Sequence, residues 1–467
     1  MIEEESIVIV GAGLAGLSAA VGLSASGSKV RLLERKPYVG GRAYSYDHPA
    51  LEETIDSQHV MLGCCTNLID LCEQAGASRH IRWYDDIHFL EPGSAGFASR
   101  ESIIGPLVGA GALPAPLHNA ASFLTAPMLD LRDKTRIGLG LLEFLRGVPE
   151  RDDEAFSEWL RRTHQTERAI RHFWEPVVVG ALNDAFERCS TRYAAQVFHE
   201  SFLKTSRGGR LGIPAEPLSA FYARVATFAV KQGTQLDLRA SVDALQREGK
   251  QWKLLLSDGR SVTARCVLLA LPFEQTVRLA ATLPDDEPAK QPLLHCANHF
   301  VHAPITTVHL WFDRPVTDKE HAALLDTRIQ WMFNKTLIRR KNTPEHYLEL
   351  VISASFAELH RTREDILRSA MEELARFFPA VRSATLRKAG ILKEARATFS
   401  VTPGLDAYRP TSRTASEGLY VAGDWTKTSW PSTMEGAVRS GRLAANAIVG
   451  DGHANRFCTD FLTPDLR

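Results

Sequence analysis

Cysteine is scarce in this chain of 467 residues: seven in all, at positions 64, 65, 72, 189, 266, 296 and 458, with no Cys-x-x-Cys pair. An odd count at that density excludes a disulfide framework of the secreted kind and points to a reducing compartment. An excess of charge of either sign is missing too, because 55 Lys plus Arg balance 55 Asp plus Glu. No global field then draws the chain toward nucleic acid or an acidic surface. The basic run from Lys335 to Lys341 lacks interleaved aromatics and reads as a solvated face. Unbroken apolar runs are also absent. Residues 102–129 carry no charged side chain and are long enough to cross a bilayer, but Pro106, Pro114, Pro116, Pro127, Gly105, Gly109 and Gly111 forbid a continuous helix. The stretch, with Ile137 to Leu145, reads instead as an apolar flap over 102–145 able to touch a membrane surface. Met1-Ile-Glu-Glu-Glu-Ser6 lacks the basic start of a secretory signal, so the expected location is the cytoplasm, with peripheral contact on the inner face of the cytoplasmic membrane. No metal site is expected. His295, His299, His302 and His309 share a neighbourhood, but Thr306 to Phe312 alternates like a strand and breaks any common helix face.

What the chain does contain is ordinary globular composition, 44% hydrophobic and 24% charged. It opens on a β-branched run, Ser6 to Val10, followed by Gly11-Ala12-Gly13-Leu14-Ala15-Gly16 and a helix-like run through Ser26. Gly27 stops that helix, and Lys29 to Leu33 forms a second strand ending at Glu34 and Arg35. Gly11 permits the tight turn, Gly13 lets backbone approach a pyrophosphate, and Gly16 lets helix and strand pack closely. The helix N-terminus faces phosphate, and Glu34 stands where an acid accepts hydrogen bonds from a ribose. Strand, glycine turn, helix, second strand and acid together read as a dinucleotide site.

Further motifs carry a resemblance. Val39-Gly40-Gly41-Arg42 resembles the sequence that flavoproteins of the amine oxidase and carotenoid desaturase superfamily place beside FAD. Gly418 to Trp425 is an apolar strand ending in Gly423-Asp424, and resembles the C-terminal flavin motif of the same superfamily, where the acid bonds a ribityl hydroxyl. Ser432-Thr433-Met434-Glu435 fits a capping box, with Ser432 as N-cap of a helix through Gly436 and Ala437. By the resemblance that N-terminus points at the flavin, and Val242 matches a residue whose backbone meets adenine. The expected fold is α/β (α+β overall): a Rossmann-like FAD-binding domain of the glutathione reductase/amine oxidase type, with an inserted mixed substrate domain. The FAD domain takes 1–85, 205–280 and 395–467, and the substrate domain 86–204 and 281–394.

Gln58-His59-Val-Met-Leu-Gly63, Leu113 to His118 and Phe173-Trp174-Glu175-Pro176 through Asn183 are similar to signatures of bacterial hydroxysqualene dehydroxylases, also called squalene-associated FAD-dependent desaturases. The resemblance implies that reduced FAD removes the hydroxyl of a C30 isoprenoid alcohol, hydroxysqualene, giving squalene for hopanoid synthesis. It places Gln58 and His59 near the flavin ring. One departure stands out: Asp56-Ser57 precede Gln58 where the family has Asn-Gly. Loss of an allylic hydroxyl needs a proton donor, a dry pocket and π-faces for the cation. Phe173 and Trp174 are the candidate π-faces, Glu175 or His59 the candidate acid, and Asn183 a candidate hydroxyl partner. An isoprenoid desaturase, moving hydride from substrate to flavin, uses the same motifs. An amine oxidase, with Trp425 and Trp430 framing the amine, is a further alternative. A single dinucleotide fingerprint implies that a separate reductase supplies electrons for dehydroxylation.

Overall fold

The computed structural model describes residues 5–93, 99–105, 113–340, 343, 345–450, 457, 458, 464 and 465. Residues 106–112 of the expected flap, Lys341 and most of 451–467 lie outside that set.

Aliphatic runs with no polar face pair as strands buried on both sides. Glu5–Val10 lies between Val30–Glu34 and Ser261–Ala270 and is parallel to both, and Gln235–Leu238 extends the sheet beyond Val30–Glu34. Ser261–Ala270 is longer than its neighbours. Its first half takes the antiparallel meander of Gln251–Leu256 and Val242–Glu248, and its second half takes Leu419–Ala422 in parallel. This register brings Gly11, Leu271 and Gly423 to one edge, beyond the carboxyl ends of the parallel strands, where open α/β sheets bind ligands.

Helices Leu14–Ala25 and Met434–Val449 pack together through small residues. A Cβ on Gly441 would fall 2.1 Å from the Ala15 carbonyl oxygen, so only glycine lets these distant segments meet backbone to backbone. A second sheet runs in the order Leu386–Phe399, His302–Phe312, His346–Ile352, Trp331–Asn334, His321–Leu324, Ile87–Glu91 and Arg100–Ile104. Helix Arg363–Phe377 covers it with Ile366, Ala370, Leu374 and Phe377. A short sheet of Met61–Leu62, Leu211–Pro214 and Ile81–Tyr84 fixes the segment that follows Gln58-His59.

The third layer is helical, between residues 117 and 203, around Phe144, Phe156, Trp159, Trp174 and Phe198. Each buried ring contributes about 1.5–3 kcal/mol of transfer free energy. Phe173 and Trp174, the candidate π-faces, belong to this layer and do not line the cavity described below. Trp174 is fully buried, with its indole N–H donating to Gln165 Oε1 at 2.8 Å, and Phe173 packs on Phe123 and Phe198. Trp174 is thus a core residue, and Phe173 is partly buried against the same core.

His302 belongs to strand His302–Phe312 while His295 lies on helix Lys290–Ala297, and no cluster able to hold a metal occurs among the described residues. Among the described residues no helix is long and apolar enough to cross a membrane.

Candidate active site

A cavity of about 490 Å³ joins the ligand edge of the first sheet to the face of the second. At one end it is lined by Gly11, Gly13, Leu14, Ala15, Glu34, Arg35, Gly41, Arg42 and Val242, together with Gly423, Asp424, Met434, Glu435 and Ala437. At the other it is bounded by Val177, Ala181, Ile305, Trp331, Phe333 and Val351. Gln58 and His59 stand in the wall between them.

The glycine turn is shaped for a ligand laid against bare backbone. Gly11 adopts φ +104°, and a Cβ there would sit 2.5 Å from the Ala270 oxygen. A Cβ on Gly41 would come within 3.2 Å of the Gly13 Cα, so the two glycines form a ledge with no side chains. Ala12, Gly16 and Gly436 do not line the cavity. Gly16 and Gly436 are packing positions, where a Cβ would meet the Gly11 oxygen at 1.9 Å and the Pro431 oxygen at 2.7 Å. Glu34 accepts the Ala12 N–H at 2.8 Å and the Lys36 N–H at 2.9 Å, so it fastens the turn. A carboxylate has about four acceptor positions, which leaves capacity for ribose hydroxyls.

The distant motifs meet through Asp424. One of its oxygens pairs with Arg42 Nη2 at 2.5 Å, and the other accepts the Ser432 hydroxyl at 2.6 Å. Ser432 is therefore not the N-cap of the last helix. Thr433 takes that role, accepting the Gly436 N–H at 3.0 Å. Glu435 does not reach back either: its buried carboxylate accepts Asn67 Nδ2 and the Leu68 N–H, each at 2.8 Å, and so caps helix Thr66–Gln74. Burial pushes that carboxyl above the usual range.

Three candidates occupy other positions than expected. Glu175 begins helix Glu175–Leu182 but does not line the cavity, and burial together with Asp326 raises its pKa. Asn183 lines the cavity with its side chain already engaged, donating to the Ala303 oxygen and Thr398 Oγ1 and accepting the Ala354 N–H. It closes the helix in the left-handed region at φ 56°, a conformation asparagine tolerates. Trp425 is buried, with its indole N–H on the Leu271 oxygen, so of the proposed aromatic pair Trp430 alone faces the cavity.

His59 is differently disposed. Its Nδ1 lies 2.7 Å from the Ser57 carbonyl oxygen and so carries the proton, leaving Nε2 as an acceptor. Burial pushes its pKa below the ordinary histidine value, outweighing the Ser57 contact and the nearby Asp56 charge.

Behind this wall lies a buried ionic cluster that the sequence did not disclose. Lys335 Nζ pairs with Asp56 at 3.1 Å and Glu349 at 3.0 Å and donates to Gln58 Oε1 at 2.6 Å. Arg339 reaches Asp56 at 3.4 Å. The expectation of a solvated basic face fails at these residues, because carboxylates from remote segments neutralise them. Burial raises the Asp56 carboxyl, but Lys335, Arg339, the Ser45 hydroxyl and the Leu218 N–H together hold it well below the usual range. Asp56 and Ser57 thus anchor the loop, Ser57 through Thr307 Oγ1 at 2.8 Å. Sequence reasoning also missed Lys36, Arg278, Glu200 and Trp331 in the lining, which no local motif marks.

His309, beside this cluster, is fully buried and pushed down to about 3 by burial and by the Lys335 charge. The unfolded chain protonates this histidine near its ordinary 6.5, while the folded chain stays neutral until about 3. Stability from this group is therefore complete above 6.5 and declines as pH falls toward 3. The expected loss is on the order of 3 kcal/mol by pH 4, with Asp56 adding a loss of the same sign at still lower pH. Thermal melts from pH 7.5 to 4 measure it, and His309→Gln should flatten the decline.

The comparisons agree with this architecture. The family model described as flavin containing amine oxidoreductase matches residues 14–449. The chain is 28% identical to 15-cis-phytoene desaturase of Synechococcus elongatus over 95% of each chain. It is 28% identical to the chloroplastic/chromoplastic 15-cis-phytoene desaturase of Solanum lycopersicum, over 95% of this chain and 78% of that one. Zeta-carotene desaturase of Synechocystis is 24% identical over 95% of this chain and 97% of its own. Among solved structures, putrescine oxidase with putrescine bound superposes with a TM-score of 0.71 at 17% identity, over 96% of this chain and 99% of that one. Cyclohexylamine oxidase from Brevibacterium oxydans gives 0.66 at 17% identity, over 95% and 98%. The side-chain-free glycine ledge, the remaining acceptor capacity of Glu34 and the Arg42–Asp424 junction fit the cofactor of such oxidases, and this chain belongs to the flavin containing amine oxidoreductases, FAD-dependent oxidoreductases.

Proposed function

We propose that this chain desaturates a long isoprenoid hydrocarbon. The observation that carries the proposal is His59, its Nδ1 engaged by the Ser57 oxygen, in the lining of a cavity that also holds Val177, Ala181, Ile305, Trp331, Phe333 and Val351. Gly11, Gly13, Leu14, Ala15, Glu34, Arg35, Gly41, Arg42, Val242, Gly423, Met434 and Ala437 would hold FAD. When bound, FAD supplies the acceptor for one hydride. His59 takes the proton released from the adjacent carbon, which completes removal of two hydrogens and formation of the double bond. The apolar walls exclude water and align the chain. The relatives named as phytoene and zeta-carotene desaturases support the same chemistry.

His59→Gln should keep FAD but slow turnover by about 10²-fold or more, the usual contribution of a positioned base. In the unaltered protein, activity should fall as acid protonates His59. The midpoint should lie below the ordinary histidine value of 6.5, because burial lowers it.

A second reading, reductive dehydroxylation of hydroxysqualene to squalene, is favoured by the Gln58-His59 pair in the cavity wall and by the helix after Phe173-Trp174-Glu175, which contributes Pro176, Val177, Gly180 and Ala181. It requires a donor for the departing hydroxyl. His59 offers a lone pair at Nε2 rather than a proton, which supports desaturation. Photoreduced protein mixed anaerobically with hydroxysqualene separates the two. Persistence of the reduced flavin and of the alcohol is expected, whereas reoxidation with stoichiometric squalene would make dehydroxylation the activity.

A further inference from the structure

Helix Leu131–Leu145 is apolar on the wrong side for a soluble surface helix. Ile137, Gly140 and Phe144 face the core, yet Leu131, Leu139, Leu142 and Leu145 are exposed, Leu131 at 78%. At about 100° per residue these four leucines share one arc of about 120° on the face opposite Ile137 and Phe144. The patch continues onto the preceding segment. Lys134 Nζ donates to the Leu124 oxygen at 2.8 Å, which ties the helix to Ala120–Thr125, and Ser122 donates to the Gly105 oxygen at 2.7 Å, which ties that helix to strand Arg100–Ile104. Leu113, Leu117, Leu124 and Ile103 are exposed along this path. Eight of the eleven large hydrophobic residues exposed among the described residues therefore lie between 103 and 145. Scattered exposed leucines need no explanation, but a concentration of this kind marks a surface that is covered in use.

The charge around the patch selects the occupant. Arg132, Arg136 and Arg146 lie on the same helix or at its end, and none has an acidic partner among the described residues, whereas Arg162 and Arg168 next to them are paired with Glu143, Glu154 and Glu91. Leucines on one arc with unpaired arginines along one flank match an interface where acyl chains lie beneath anionic headgroups. We propose that the outer face of helix Leu131–Leu145, extended by Leu117 and Leu124, docks this protein onto an anionic lipid bilayer. Contact of this kind is peripheral and does not depend on which substrate is turned over.

Co-sedimentation of the full FAD-loaded chain with phosphatidylcholine vesicles, with and without phosphatidylglycerol, tests the proposal. The protein should pellet with the mixed vesicles and bind the neutral ones at least about tenfold more weakly. Leu131→Gln/Leu139→Gln/Leu142→Gln should abolish pelleting while flavin content and melting temperature hold. Arg132→Gln/Arg136→Gln/Arg146→Gln should remove only the preference for anionic lipid. Val230→Gln, an exposed apolar residue elsewhere, should change nothing. Protein that remains in the supernatant at every composition would overturn the proposal, as would leucine variants that still pellet. So would a dimer in solution that the leucine variants dissociate, because a second copy would then be the occupant.

Discussion

Arg409→Ala should yield a protein that fails to retain FAD and loses about 3–5 kcal/mol of stability, the cost of breaking a buried ionic network on one side. The Arg409 side chain is fully buried. Its Nη2 donates to the carbonyl oxygens of Asp424, Thr426 and Trp430, at 2.8, 2.6 and 2.8 Å. Its Nη1 bonds the Tyr193 hydroxyl, which in turn bonds Asp406. One guanidinium thus holds the loop from Asp424 to Trp430 that precedes the last helix. Alanine would leave several buried carbonyls unpaired and release Asp424 from its place beside Arg42. Lysine keeps the charge but loses the planar fork, so Arg409→Lys should recover only part of the loss. Flavin-to-protein absorbance and the urea midpoint measure both effects. An alanine variant with full flavin and an unchanged midpoint would remove Arg409 from this role.

Lys335→Met should have a comparable cost with a different signature. Lys335, Asp56 and Glu349 are all essentially excluded from solvent. Deleting the ammonium leaves two carboxyls facing each other in a dry site, with Arg339 still near Asp56 at 3.4 Å. The penalty is again about 3–5 kcal/mol. Glu349→Gln in the same chain should restore much of the stability, since one negative charge leaves with the positive one. Activity should not return with it. Lys335 holds the Gln58 side-chain Oε1 and Glu349 accepts the Gln58 backbone N–H, so the double variant keeps the fold but frees the Gln58-His59 wall. A double variant that remains as unstable as the single one would contradict the ionic account.

The nucleotide end was legible because its signal is local. Gly11, Gly13, Gly16 and Glu34 stand at spacings that only one backbone path satisfies, and the strand and helix around them carry their own patterns. What escaped was the choice of partner at a distance. Ser432 and Glu435 have the spacing of a capping box, yet Ser432 binds Asp424 and Glu435 caps a helix that begins at Thr66. Phe173, Trp174 and Glu175 are adjacent in sequence, but successive residues of a helical turn point in different directions, and none of the three lines the cavity. The Lys335 to Arg339 run looks solvated until Asp56 arrives from the loop after Glu53–Ile55 and Glu349 from strand His346–Ile352. Arg409 has no motif at all, because its partners are mostly backbone carbonyls.

The most direct measurement is anaerobic mixing of the oxidised FAD-loaded protein with a long isoprenoid polyene and, separately, with a diamine, following the visible flavin band and the extracted products. The expected result is bleaching by the polyene with one new double bond per flavin reduced, and no change with the diamine. A flavin that the polyene leaves oxidised and the diamine bleaches would contradict the isoprenoid assignment and return the chain to amine oxidation.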